Sequence, residues 1–207
     1  MNIEVVVSGK LLNNTYIVVS DKNNAVVIDP SLDFEGIKQK LEKLGANLKY
    51  IICTHGHYDH TASALPLKEL TGAEIVIHQR DSEMLYDSKK SLSFLFSNHP
   101  NVCKADIEVS DGNEILLDEL EFRFISTPGH SNGSMVIVCG DFCFTGDTVL
   151  KGTVGRTDLV GGNDALMIQS IKNLSEVEKN YTLLCGHEEP STLDFEKKNN
   201  PYFLLYT

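Results

Sequence analysis

Residues 54–60 read Thr-His-Gly-His-Tyr-Asp-His, so His55, His57, Asp59 and His60 place four potential metal ligands within six residues. They directly follow an apolar run, Tyr50-Ile51-Ile52-Cys53. Imidazoles and carboxylates crowded at the end of a buried strand need a partner, and a divalent cation is the economical one. The ligand number points to more than one ion.

Three later segments have the same style. Thr127-Pro128-Gly129-His130, Phe144-Thr145-Gly146-Asp147-Thr148 and Cys185-Gly186-His187 each put a His or Asp just past a strand-like run, beside a glycine that permits a tight turn. A single such histidine is usually a structural residue, and Asp147 alone could be a turn former. Together with the cluster they make five His and two Asp at strand ends. Two ions sharing a bridging carboxylate need about seven protein ligands of this kind. Nitrogen and oxygen donors without thiolate suit zinc, with iron or manganese as alternatives. His78 and His99 lack any such context and receive no role.

The elements that position these loops can be read from periodicity. Ile3–Val7, Thr15–Val19 and Ala25–Ile28 predict strands, the last two joined by a turn at residues 21–24. Apolar Phe34, Ile37, Leu41 and Leu44 predict a helix stopped by Gly45. Tyr50–Cys53 and Glu74–His78 predict strands. Helices are expected over Ala62–Leu70 and Gln79–Asp87. Ser88–Ala105 gives no periodic signal, and Phe94-Leu95-Phe96 within it reads either as an apolar lid or as core. Further strands are expected at Glu114–Leu117, Leu120–Ser126, Ser134–Cys139, Phe142–Phe144 and Tyr181–Cys185, with a helix over Asp164–Leu174 and a short polar C-terminal segment. Two strand-rich halves interrupted by helices predict mixed α/β layers in a single domain spanning residues 1–207.

Bulk properties narrow the function classes. A net charge of -11 argues against a nucleic-acid surface, which needs a basic face. No apolar stretch approaches the ~20 residues of a membrane helix. Met1-Asn2-Ile3-Glu4 lacks a basic, apolar leader pattern, so no secretory signal is expected. The five cysteines, Cys53, Cys103, Cys139, Cys143 and Cys185, are scattered and read as reduced thiols of a cytoplasmic protein.

The four segments, in this order, resemble the metallo-β-lactamase superfamily, with His55-x-His57-x-Asp59-His60 as its motif and His130, Asp147 and His187 as its later ligands. The resemblance implies an αββα four-layer sandwich with metals at one edge between the sheets. It further implies that one ion takes His55, His57 and His130, that the other takes Asp59, His60 and His187, and that Asp147 bridges them. Within the superfamily the chain looks most like short glyoxalase II proteins, through residues 127–134, Thr145-Gly146-Asp147-Thr148, Gly155-Arg156-Thr157-Asp158-Leu159 and residues 196–202. It departs from the two-domain members in ending before a C-terminal glutathione-binding domain could form. It departs again at His187-Glu188-Glu189-Pro190, where the short relatives carry His-Gly-Pro. Arg156 falls where a basic glutathione contact sits in the larger enzymes, or else pairs with Asp158.

Water shared by two divalent ions loses a proton near neutral pH and becomes a nucleophile for a carbonyl carbon. No Gly-x-Ser-x-Gly elbow is then needed. Asp59 is expected to ligate and either to orient the hydroxide or to receive a proton, and Thr54, Thr127 and Asp29 to support the ligand loops. The expected activity is hydrolysis of an acyl thioester such as S-lactoylglutathione, with a small-molecule substrate as partner and neither nucleic acid nor membrane. A mononuclear iron persulfide dioxygenase, which the Gly155–Asp158 stretch also resembles, is the alternative, with lactonase or β-lactam hydrolysis beside it. Oligomeric state is not legible.

Overall fold

β-Branched and aromatic runs that are apolar on both faces make strands covered on both sides. The computed structural model describes residues 1–98, 100 and 102–206, and His99 therefore lies outside the described residues. The first half runs β1 (Asn2–Ser8), β2 (Asn13–Val19), β3 (Asn24–Ile28), α1 (Phe34–Leu44), β4 (Asn47–Cys53), α2 (Tyr58–Thr61), α3 (Ala64–Thr71), β5 (Glu74–His78) and β6 (Ile107–Val109). The second runs β7 (Glu114–Leu117), β8 (Leu120–Ser126), β9 (Met135–Cys139), β10 (Phe142–Gly146), β11 (Val149–Leu150), β12 (Thr153–Val154), α4 (Asp164–Ser175), β13 (Thr182–Cys185), β14 (Ser191–Thr192), α5 (Leu193–Asn199) and α6 (Pro201–Tyr206). Strands β1 to β6 form one sheet in sequence order, and the other has the order β14-β13-β10-β9-β8-β7. β11 and β12 pair apart from both.

Successive residues of a strand point to opposite faces, so each sheet feeds two cores. Val26, Ile28, Ile52 and Val76 meet Phe122, Phe124, Ile137 and Phe144 between the sheets. Their neighbours Ala25, Val27, Ile51 and Ile75 turn outward onto Ile37 and Leu41 of α1 and Ala64 and Leu67 of α3. On the far side, Val136, Cys143 and Leu183 pack against Met167, Ile171 and Leu174 of α4, Leu193 of α5 and Phe203 of α6. Three apolar interfaces thus separate four layers in the order α, β, β, α. Helix α1 begins at Asp33, whose side chain accepts from Gly36 N, and stops at Gly45, whose φ of 61° favours a residue without Cβ. Both ends stand where the apolar spacing put them.

Three stretches differ from the sequence expectation. Gln79–Asp87 holds only a 3₁₀ turn over Ser82–Leu85, because the Asp81 side chain is engaged elsewhere and its carbonyl accepts from Met84 N three residues on. In Ser88–Ala105, a 3₁₀ turn over Ser93–Leu95 follows Leu92 at φ 63°. Phe94 and Leu95 there are 54% and 66% exposed, so they are not core. The C-terminal segment is helical rather than merely polar. Thr192 caps α5, and buried Glu196 accepts from Gly152 N at 3.0 Å and Asn200 Nδ2 at 2.7 Å, tying the end of the chain to the β11–β12 connection.

Candidate metal centre

Strands β4, β8, β10 and β13 come from both sheets, yet all deliver their C-terminal loops to one edge of the sandwich. Met135 N donates to Thr54 O and Asn14 N donates to Gly186 O, so backbone hydrogen bonds lock the loops of the two sheets together. Buried Asn14 adds donors to Cys185 O at 3.0 Å and Glu188 O at 2.9 Å. Gly186 is required by the crowding. A Cβ there would lie 2.5 Å from Asp147 Oδ1 and 2.7 Å from His60 Cε1.

Two clusters result. Donor atoms of His55, His57 and His130 lie within 4.8 Å of one another, as do those of Asp59, His60 and His187. In the first, His57 Nδ1 is 2.8 Å from His130 Nε2. In the second, His60 Nε2 is 3.2 Å from His187 Nε2, and Asp59 Oδ2 is 3.8 and 3.7 Å from those two atoms. Asp147 stands between the clusters. Its Oδ1 is 3.6 Å from His60 Nε2, and its Oδ2 is 3.6 Å from His130 Nε2 and 3.4 Å from His187 Nε2.

Hydrogen bonds on the far side of each ring decide which nitrogen carries a free lone pair. His130 Nδ1 donates to Arg156 O at 2.7 Å, and His187 Nδ1 donates to Leu11 O at 2.8 Å. His60 Nδ1 donates to Asp29 Oδ2 at 3.1 Å. Thr54 Oγ1 donates to Asp29 Oδ2 at 2.8 Å and is therefore left to accept from His55 Nδ1 at 3.0 Å. The Nε2 lone pairs of His55, His60, His130 and His187 consequently face inward. Asp29, His55 and His60 also form a close group. We read Asp29 as the support of that group, since both its oxygens are taken by Thr54 and His60 on the side away from the centre.

The centre is polar yet poorly satisfied by protein. His55 Nε2, His57 Nε2 and Asp147 Oδ1 are buried without a hydrogen-bond partner. Inward lone pairs and orphaned buried atoms on six residues, with the Asp59 carboxylate beside them, fit divalent metal cations. Electrostatics agree. Burial and the neighbouring imidazoles push His57 down to about 3 and His55 well below the usual histidine range. Burial opposes charge on His60 too, but Asp147, Asp59 and Asp29 outweigh it and raise it to about 10. Burial likewise works against ionising Asp147, but His60, His187 and His130 prevail and hold it well below the carboxylate range. The first cluster thus expels protons while the carboxylates of the second draw positive charge to His60 and His187, a field that attracts cations to the centre.

All seven sequence-designated candidates therefore meet at one edge. Arg156 enters through its backbone carbonyl, which orients His130. Its guanidinium is exposed and pairs with Asp158 through Nε at 2.6 Å and Nη2 at 2.7 Å. Thr127 Oγ1 meets Thr148 Oγ1 at 2.8 Å, beside the His130 loop. His78 belongs to neither cluster. Two participants escaped the sequence reading. Asp81, buried at 1% exposure, accepts from Gly56 N at 3.1 Å, Gly133 N at 2.7 Å and Ser131 Oγ at 2.6 Å, and so clamps the His55–His57 loop to the His130 loop. Burial raises its carboxyl against those same bonds. The one signal was the pair of glycines flanking the ligands, since a Cβ on Gly133 would lie 2.7 Å from Asp81 Cγ. The other is Asn13, fully buried against the Asp59 cluster.

A family model described as the metallo-beta-lactamase superfamily matches residues 8–187. Hydroxyacylglutathione hydrolase GloC of Haemophilus influenzae is 32% identical, over 98% of this chain and 98% of its own length. Among solved structures, the BLEG-1 B3 metallo-beta-lactamase superposes with a TM-score of 0.89 at 26% identity, covering 98% of this chain and 99% of that one. TTHA1623 in a di-iron-bound form gives a TM-score of 0.86 at 26% identity, covering 96% and 99%.

Proposed function

Because the chain belongs to the metallo-beta-lactamase superfamily, we propose that it is a binuclear metallohydrolase acting on acyl thioesters of the S-lactoylglutathione class. The observation that carries the reading is the half-buried Asp147 carboxylate, set between two complete three-residue clusters. In this reading His55, His57 and His130 hold one ion, Asp59, His60 and His187 hold the other, and Asp147 belongs to both. Zinc is the proposed metal, and the 32% identity to a hydroxyacylglutathione hydrolase supports the substrate class.

Two divalent ions held there supply Lewis acidity toward the carbonyl and lower the pKa of water. The protein's own groups do the rest. Rings fixed by Asp29, Thr54, Leu11 O and Arg156 O keep their lone pairs aimed before substrate arrives. Asp59 accepts the proton released by the attacking water. Attack at the acyl carbon breaks the C–S bond, and the departing thiolate takes up that proton. Arg156 meets a substrate carboxylate by exchanging it for Asp158, which the exposed position of both side chains permits. A cytoplasmic location belongs to the same reading, supported by five free thiols. Among the described residues, no helix is long and apolar enough to cross a membrane. The complete second cluster weighs against persulfide oxidation at a single iron, which would leave Asp59, His60 and His187 without a task.

Elemental analysis of purified protein, with a thioester panel headed by S-lactoylglutathione, tests the proposal. Two metals per chain with thiol release are expected. One iron per chain, with oxygen consumed on glutathione persulfide and no thiol released from thioesters, overturns it.

A further inference from the structure

Asn13, the first residue of β2, has no exposed surface and bridges to His187 through the backbone. Its terminal amide points into the second cluster. The Nδ2 position is 3.0 Å from Asp59 Oδ2, 3.4 Å from His60 Nε2 and 3.5 Å from His187 Nε2. Those three atoms are themselves 3.2 to 3.8 Å apart. Neighbouring donors at ~2.1 Å from one five-coordinate ion are separated by about 3.0–3.6 Å, which leaves a place for Asp147 as well. The six separations measured here, from 3.0 to 3.8 Å, cover that range.

We propose that the side-chain carbonyl of Asn13 is a fifth protein ligand of the ion held by Asp59, His60, His187 and the shared Asp147. The inference rests on the binuclear reading above. Without a cation, the amide N–H groups serve Asp59 Oδ2 and the two inward lone pairs. With a cation among those atoms, an N–H group would face positive charge. A half-turn of the amide exchanges nitrogen for oxygen with no change of shape. Oδ1 has no hydrogen-bond partner where it now lies, so the half-turn breaks no bond of that atom. An amide oxygen is a hard, neutral donor compatible with the same ions as Asp and His. The backbone is fixed for the task, since Asn14 ties this end of β2 to the His187 loop. One consequence is an asymmetry. The second ion gains a ligand that the first lacks and should be the slower of the two to leave.

The test combines a crystal structure of the zinc-loaded wild-type protein with metal competition titrations, using a chromophoric chelator, on wild type, Asn13→Ala and Asn13→Asp. The expected structure has the Asn13 side-chain oxygen at about 2.0–2.4 Å from the second ion. Asn13→Ala should weaken that ion by about tenfold or more and leave the first unchanged, and Asn13→Asp should restore tight binding. The structure of the wild type does not depend on either variant folding. Two ions present with the Asn13 amide beyond ~3 Å of both overturns the inference alone. So does an Asn13→Ala protein that holds both ions as wild type does. Fewer than two ions per wild-type chain overturns the binuclear proposal instead.

Discussion

The second imidazole of the motif shows how one residue is committed. His57 meets His130 at 2.8 Å, nitrogen to nitrogen, in a buried setting that pushes it down to about 3. That contact has the length of an N–H···N hydrogen bond; His130 gives its Nδ1 proton to Arg156 O, so His57 Nδ1 is the donor and both rings are neutral and ready to exchange that proton for a metal. Replacing His57 or Asp147 with Ala should abolish most thioester hydrolysis and lower metal content, while the circular dichroism spectrum stays that of the wild type. Outside the centre, His78 offers a pH prediction with a definite sign. Its Nδ1 accepts from Arg80 N at 3.1 Å, so Nε2 donates to Ser126 Oγ at 3.2 Å, and the neutral ring is satisfied at both ends. Burial lowers its pKa, with Arg80 assisting and Asp81 and Asp111 opposing. The unfolded chain therefore protonates first. The wild type should lose stability as pH falls below about 6.5, down to the lowered value. A His78→Gln variant should lack that part of the loss, and the difference in melting temperature between the two proteins, followed from pH 7.5 to 5, would reveal it.

Elements bring the loops together, and two contacts carry that scale. Asp81 joins the loop after β4 to the loop after β8. Asp81→Ala would leave the Gly56 and Gly133 N–H groups buried without acceptors, at a cost of about 2–4 kcal/mol. Denaturant unfolding should show that loss, and turnover should fall even at saturating metal. The strand at Glu74–His78 was plain from its β-branched run, but the Asp81 turn after it was not. Its shape depends on loops about 25 and 50 residues away in sequence, and a helical pattern in Gln79–Asp87 carries no record of them. Helix α6 is a second such case. Its anchor, Phe203, is fully buried against the α4 layer. Phe203→Ala should cost about 3–5 kcal/mol by the same unfolding measurement, with metal stoichiometry unchanged, because that layer lies behind the second sheet rather than at the ligand edge.

At the scale of the whole molecule, the candidate centre is where the two sheets are pinned to each other. His55, His57, Asp59 and His60 follow a strand of the first sheet, and His130, Asp147 and His187 follow strands of the second. Ions bound there bind only the folded arrangement, so they stabilise it by mass action. Chelation should lower the melting temperature, and readdition of zinc should recover it, with saturation at two equivalents. A chain whose melting temperature ignored chelation would contradict a load-sharing centre between the sheets.

The sequence by itself determined the candidate ligand types, their positions just past strands, and most strands and helices, because each depends on spacing within about ten residues. It also carried the four-layer architecture through a resemblance spread over nearly the whole chain, which the match over residues 8–187 and the TM-score of 0.89 uphold. Only the tertiary structure decided which lone pairs face inward, and it placed Asp147, which the resemblance had marked as the bridge, between the two clusters. It alone drew in Asp81 and Asn13, and it gave Arg156 a backbone role beside its surface ion pair. A ring's free nitrogen is set by what its other nitrogen touches. Here those partners, Asp29, Leu11 O and Arg156 O, come from segments 26 to 176 residues away that meet only in the folded chain.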